Sequence, residues 1–269
     1  MPFNVSPISL YSHKAATMNC MFDYSPAKNL LENKTILVTG AGDGIGRAAA
    51  KSFASHGATV ILLGRTTEKL EQVYDEIESE GGPQPAIYPL NLEGAVAKDY
   101  DDMAAALEKE FGKLDGLLHN AGVLGPITPI AHYDPEHWFR AMQVNVNAEF
   151  LLTQSVISLL EDANDASIIF TSSSVGRKGR AHWGAYAVSK FATEGLMQVL
   201  ADELENTSNI RVNSINPGAT RTNMRAAAYP AENPATLRKP EDIMGTYLYL
   251  MGADSISSTG QQFDAQPMA

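Results

Sequence analysis

The chain has 269 residues, 44% hydrophobic and 19% charged, which suits one α/β domain burying roughly three quarters of its unfolded surface. Twenty Lys and Arg against thirty-one Asp and Glu give a net charge of −11, a field that repels phosphate backbones and anionic lipid and argues against nucleic acid and membrane as partners. No run approaches the roughly 18 apolar residues of a spanning helix, and the single cysteine, Cys20, has no partner for an internal disulfide, so a reducing cytoplasm is the expected compartment.

Residues 1–22 have neither a basic start nor a continuous apolar core, so they do not read as a secretory signal. We expect a disordered tail there and a single domain over 23–269; Met21 is a natural alternative start, because the chain beyond it leads straight into the first strand. From Thr35 onward, short β-branched or Leu-rich runs alternate with helical patterns, the signature of βαβ units. The expected order is strand TILVT (35–39), helix 46–56, strand ATVILLG (58–64), helix 66–80 closed by Gly81 and Gly82, and strand PAIYPLNL (85–92). It continues with helix 99–111, strand LDGLLHN (114–120), a long helix over 135–160, strand ASIIFTSS (166–173), helix 184–205 and strand NIRVNSI (209–215). Residues 219–239 form the one long irregular stretch, and such loops often bind ligands. The expected fold is α/β: a single doubly wound Rossmann domain with a parallel sheet of about seven strands and helices on both faces.

Between the first strand and first helix lies Thr39-Gly40-Ala41-Gly42-Asp43-Gly44-Ile45-Gly46. Glycine there lets the backbone turn sharply and approach a pyrophosphate beneath the helix N-terminus. The second strand ends Leu63-Gly64-Arg65, with no carboxylate before Glu68; an acid at that place would bond an NAD ribose, whereas Arg65 can hold a 2′-phosphate, so NADP (NADPH) is favoured over NAD. Asp43 is an unfavourable neighbour for that extra phosphate.

Tyr186 and Lys190 are four apart on a predicted helix and so share a face. A free phenol titrates at about 10, and an adjacent ammonium together with a cationic cofactor ring favours the phenolate, fitting Tyr186 to act as acid toward a ketone or base toward an alcohol. Ser173 lies just past the strand IIFTS, at the sheet edge where ligands bind in open α/β folds, and could donate to a developing oxyanion. Ser172 and Ser174 flank it, and the residues alone do not choose among the three.

Together, Thr39 to Gly46, Asn120-Ala121-Gly122, Asn145, Ser173, Tyr186, Lys190 and Pro217-Gly218 resemble the classical short-chain dehydrogenases/reductases over about residues 30–265. The resemblance selects Ser173, thirteen residues before the tyrosine and followed by Gly176 at the family's place. It implies that Asn145 holds a water bound to the lysine, with Asn147 as competitor. Asn91 and Leu92 are implied at the adenine, Asn120, Ala121 and Gly122 at the cofactor, and Pro217, Gly218, Thr220 and Thr222 at the nicotinamide carboxamide and phosphate. His119, where Asn is more usual, reads as structural.

HNAGVLGP, MQVNVNAEF, TSSSVGRKGRAHWGAYAVSKFATEG and FDAQP are similar to a bacterial subgroup, the YciK-like oxidoreductases. The implied function is NADP-dependent hydride transfer to or from a small carbonyl or secondary alcohol, in a homodimer or homotetramer. The alternative is a non-catalytic NADP-binding sensor or scaffold, for which a broken Tyr/Lys/Ser set would be expected. The six histidines include no metal-binding spacing, so no metal is expected.

Overall fold

The computed structural model describes residues 19–267. Seven parallel strands build the sheet: β2 (Thr35–Thr39), β3 (Thr59–Gly64), β4 (Ala86–Pro89), β5 (Gly116–His119), β6 (Ala166–Thr171), β7 (Ile210–Asn216) and β8 (Gln262–Asp264). A two-residue strand, β1 (Asn19–Cys20), adds an eighth at the edge, in the order β1-β8-β7-β6-β5-β2-β3-β4 with every pair parallel. The strands are apolar on both faces because both faces are covered. Ile36 and Val38 point into the core formed with α1 (Gly44–Ser55), α2 (Thr67–Ser79) and α9 (Met244–Met251). Leu37 points the other way, to α3 (Ala97–Phe111), α5 (Ala148–Glu161) and α7 (Gly184–Leu204).

Three expectations change. The tail expected over 1–22 is only partly testable, since residues 1–18 lie outside the described residues, but 19–22 belong to the fold. Asn19 and Cys20 pair with Phe263 and Asp264, the Met21 amide donates to Thr246 Oγ1 at 3.2 Å, and Phe22 packs against the core beneath the Arg238 guanidinium. The long helix over 135–160 is three pieces: α4 (Pro135–Met142), a π segment (Gln143–Asn147) and α5. The irregular stretch 219–239 contains α8 (Asn223–Ala228), started by Thr222 Oγ1 accepting from the Arg225 amide at 3.1 Å.

The chain runs outward from β2 to β4, then returns to place β5 on the other side of β2. Strand order reverses between β2 and β5, so the loops after these strands part and leave a crevice at their C-terminal ends. Thr39 closes the bottom of that crevice. Its Oγ1 accepts from the Asn120 and Ala121 amides at 2.9 and 3.0 Å and donates to the Leu118 carbonyl at 3.3 Å.

Candidate active site

The crevice opens into a cavity of about 560 Å³ that runs from the glycine turn to α7. At one end the chain leaves β2 through Gly40, whose φ of +66° suits glycine and whose added Cβ would stand 3.0 Å from Ala121 Cα. Asp43 caps α1 by accepting from the Gly44 amide at 2.7 Å. Its carboxylate also takes a bond from Lys69 Nζ at 2.6 Å and one from Asn223 Nδ2 at 3.1 Å. The lysine above all holds this carboxyl below its usual range, so the charge that threatened a 2′-phosphate already has a partner. Arg65 faces the same end of the cavity, and among the described residues its side chain has no hydrogen-bond or ion-pair partner.

At the other end, Tyr186 and Lys190 occupy adjacent turns of α7 and both line the cavity. Tyr186 is buried among Val175, Ala187, Leu124, Trp183 and Met224. Lys190 Nζ donates to the Thr171 carbonyl at 2.7 Å, which anchors it to the end of β6. Ser173 follows β6 as the cap of a short helix, α6 (Ser174–Arg177), and lines the same wall. That helix sits tight against α7, because a Cβ on Gly176 would collide with Lys190 at 2.8 Å.

Most expected residues therefore converge: Gly40, Gly42, Asp43, Gly44, Ile45, Arg65, Asn91, Leu92, Asn120, Ala121, Gly122, Ser173, Tyr186, Lys190, Pro217, Gly218, Thr220 and Thr222 all line the cavity. Gly46 and Asn145 are the exceptions. Gly46 lies behind the turn, where a Cβ would run into the Gly40 carbonyl and the Asn120 amide; it serves close packing of α1 on the sheet. Asn145 is fully buried: its Oδ1 accepts from the Val123 amide at 2.8 Å and its Nδ2 donates to the Val123 carbonyl and Ser189 Oγ at 2.9 and 3.0 Å. Its side chain thus clamps the Asn120–Val123 strand extension. Asn147 is exposed and bonded to Gln143.

Sequence reading missed Lys69 and Asn223 among the lining groups. Lys69 and Asn223, which tie the glycine turn to α2 and α8, lie far from Asp43 in sequence, and no local pattern links them. The mouth is apolar and aromatic: Trp183 packs 5.9 Å from the Tyr186 ring and 5.9 Å from Tyr229, and Arg225 stacks 3.9 Å over Tyr229. Arg180 donates to the Tyr229 hydroxyl at 2.7 Å, whereas Arg177 is paired with Glu194 and Asp264 and presents no free cation to a substrate.

A doubly wound sheet with a glycine turn at its first βα junction, and a Ser/Tyr/Lys set across the switch point, defines a dinucleotide-binding enzyme class. Comparison narrows this. The family model for short chain dehydrogenases matches residues 34–233, and the chain belongs to that family of oxidoreductases. It is 54% identical over 244 residues to the uncharacterized oxidoreductase YciK of Escherichia coli K12, covering 91% of this chain and 96% of that protein. Two solved structures are similarly near. A short chain dehydrogenase of Shigella flexneri 2a complexed with NADP is 54% identical with a TM-score of 0.88, covering 90% of this chain and all of that one. One of Escherichia coli CFT073 complexed with NADPH is 55% identical with the same TM-score and the same coverage of both chains.

Proposed function

We propose that this chain transfers hydride between NADP(H) and a small carbonyl or secondary alcohol, with Tyr186 as general acid and base. The observation that carries the reading is the meeting, in one cavity, of the Tyr186–Lys190 face of α7, Ser173 and the glycine turn. The cavity suits a phosphorylated dinucleotide. The α1 N-terminus and Gly42 to Ile45 face it, Gly40 leaves room that a side chain would fill, and Arg65 offers an uncommitted guanidinium. The complexes of similar chains with NADP and NADPH support the same cofactor.

When bound, the dinucleotide supplies or accepts the hydride. Tyr186 gives its phenolic proton to the carbonyl oxygen in reduction and takes the alcohol proton in oxidation. The Ser173 hydroxyl donates to the same oxygen as charge develops. Lys190, a turn away and fixed to the Thr171 carbonyl, keeps a positive charge near the phenol and favours its ionised form. In the relay role implied by family resemblance, Asn145 acts through its main chain, since its side chain is spent on Val123 and Ser189. The apolar mouth of Leu124, Trp183 and Met224 favours an apolar or mixed substrate. Self-association is part of the reading, supported by the exposed Phe150 on α5 and Val188, Phe191 and Val199 on α7, and so is a cytoplasmic location.

The test is NADPH and NADH oxidation across ketones, aldehydes and quinones. The reading expects turnover that prefers NADPH; consumption of NADH alone contradicts the cofactor assignment.

A further inference from the structure

Behind the Tyr186–Lys190 face lies a carboxyl group that the reaction described above does not use. Glu149, on α5, is 3% exposed, and its Oε1 stands 3.6 Å from Lys190 Nζ. That oxygen accepts no hydrogen bond, while Oε2 accepts one from Thr193 Oγ1 at 2.8 Å. The core-facing side of a helix is ordinarily apolar, and a buried carboxylate short of donors is costly. The acid here stands against the Lys190 ammonium.

We propose that Glu149 is a positioning residue for the reaction: acting through Lys190, its charge state sets how tightly the Tyr186 phenol holds its proton, and hence which direction of hydride transfer the site favours at a given pH. This rests on the acid/base reading of Tyr186. When Glu149 is neutral, the field of the ammonium reaches Tyr186 undiminished and the phenol ionises more readily. When Glu149 is ionised, it cancels part of that field and the phenol stays protonated to higher pH. Carbonyl reduction uses the phenol and alcohol oxidation uses the phenolate, so an ionised Glu149 biases the site toward reduction.

The surroundings place this switch near neutrality. Burial pushes the Glu149 carboxyl up to about 7, against the opposing pull of Lys190 and the Thr193 bond. From α7 the groups facing it are Lys190 and Thr193, and β6 contributes the Thr171 carbonyl that holds the ammonium. On β5 the titratable group is His119, bonded to Thr153 Oγ1 at 2.8 Å; burial first, and then Lys190, lower it to about 3, so it stays neutral through this range.

The experiment is a carbon-13 NMR titration of the whole chain, labelled at tyrosine Cζ, with NADP present. The Tyr186 signal is identified by its loss in Tyr186→Phe. The acid constant of Tyr186 should be about threefold or more larger in Glu149→Gln than in the wild type, a shift of about half a pH unit. The wild-type Tyr186 signal should also carry a second inflection near neutrality, a readout that needs no carboxyl variant to fold. Superimposable titrations, or a wild-type signal with no such inflection, would overturn the proposal. Turnover separates the two readings: if Tyr186→Phe is inactive while the titration does not respond to Glu149, the positioning role alone fails. If Tyr186→Phe keeps full turnover, the acid/base reading fails and the positioning role goes with it.

Discussion

Arg65 stands at the end of β3 without a counter-charge among the described residues, while its neighbour Lys69 is held by Asp43 at 2.6 Å. A hydrogen bond from a charged group contributes about 1.5–3 kcal/mol, so Arg65→Ala should raise the NADPH KM about tenfold or more and leave the NADH KM nearly unchanged. Steady-state kinetics with both cofactors measures this; equal losses would mean that Arg65 does not read the 2′-phosphate. Arg65 was legible in the sequence because the strand end lacks a carboxylate until Glu68. Lys69 was not, because its partner lies 26 residues away across the glycine turn. Glu149 was hidden for a different reason. Within QVNVNAEF it reads as one more polar position on an amphipathic helix, and only the packing of α5 against α7 turns it toward Lys190.

At the scale of elements, the strand-helix alternation read directly because parallel strands covered on both faces are short apolar runs with no competing pattern. The π segment did not, since one extra residue within a helix leaves the spacing of apolar positions almost unchanged. Its consequence is a clamp: Asn145 holds Val123 through both amide and carbonyl, and these bonds join the helix to the strand extension beneath the cavity. Asn145→Ala would leave buried backbone groups unpaired at about 1–3 kcal/mol each. We expect it to lower the unfolding free energy in urea by about 3 kcal/mol and to speed hydrogen exchange at the Val123 amide, whereas an unchanged Val123 exchange rate would contradict the clamp. In 219–239, Thr222 was expected as a ligand contact and also starts α8, a helix of six residues too short for its period to show.

Over the whole molecule, two buried groups give stability opposite dependences on pH. The neutral His119 is 2% exposed and stacked on Phe170 at 4.6 Å. Unfolded, it takes a proton below about 6.5, but folded only near 3, so the unfolded state binds more protons in that window and stability is lost as pH falls through it, by up to about 5 kcal/mol. Glu149 titrates folded at about 7 and ordinarily at 4.5, so the folded state binds more protons there and stability falls as pH rises, by up to about 3 kcal/mol. Urea unfolding should therefore find Glu149→Gln more stable than the wild type at pH 8 and nearly equal to it at pH 4; a variant weaker at pH 8 would show that the carboxylate stabilises the fold. The whole domain also includes residues 19–22, which composition alone assigned to a tail because two residues of edge strand carry no periodicity.

The central claim, that Tyr186 carries the proton, is tested most directly by NADPH-dependent carbonyl reduction in wild type and Tyr186→Phe, with cofactor binding measured alongside. Loss of one acid/base group costs about 10²–10⁴-fold, so kcat should fall by that much while NADPH still binds. A Tyr186→Phe chain that turns over at the wild-type rate would contradict the claim.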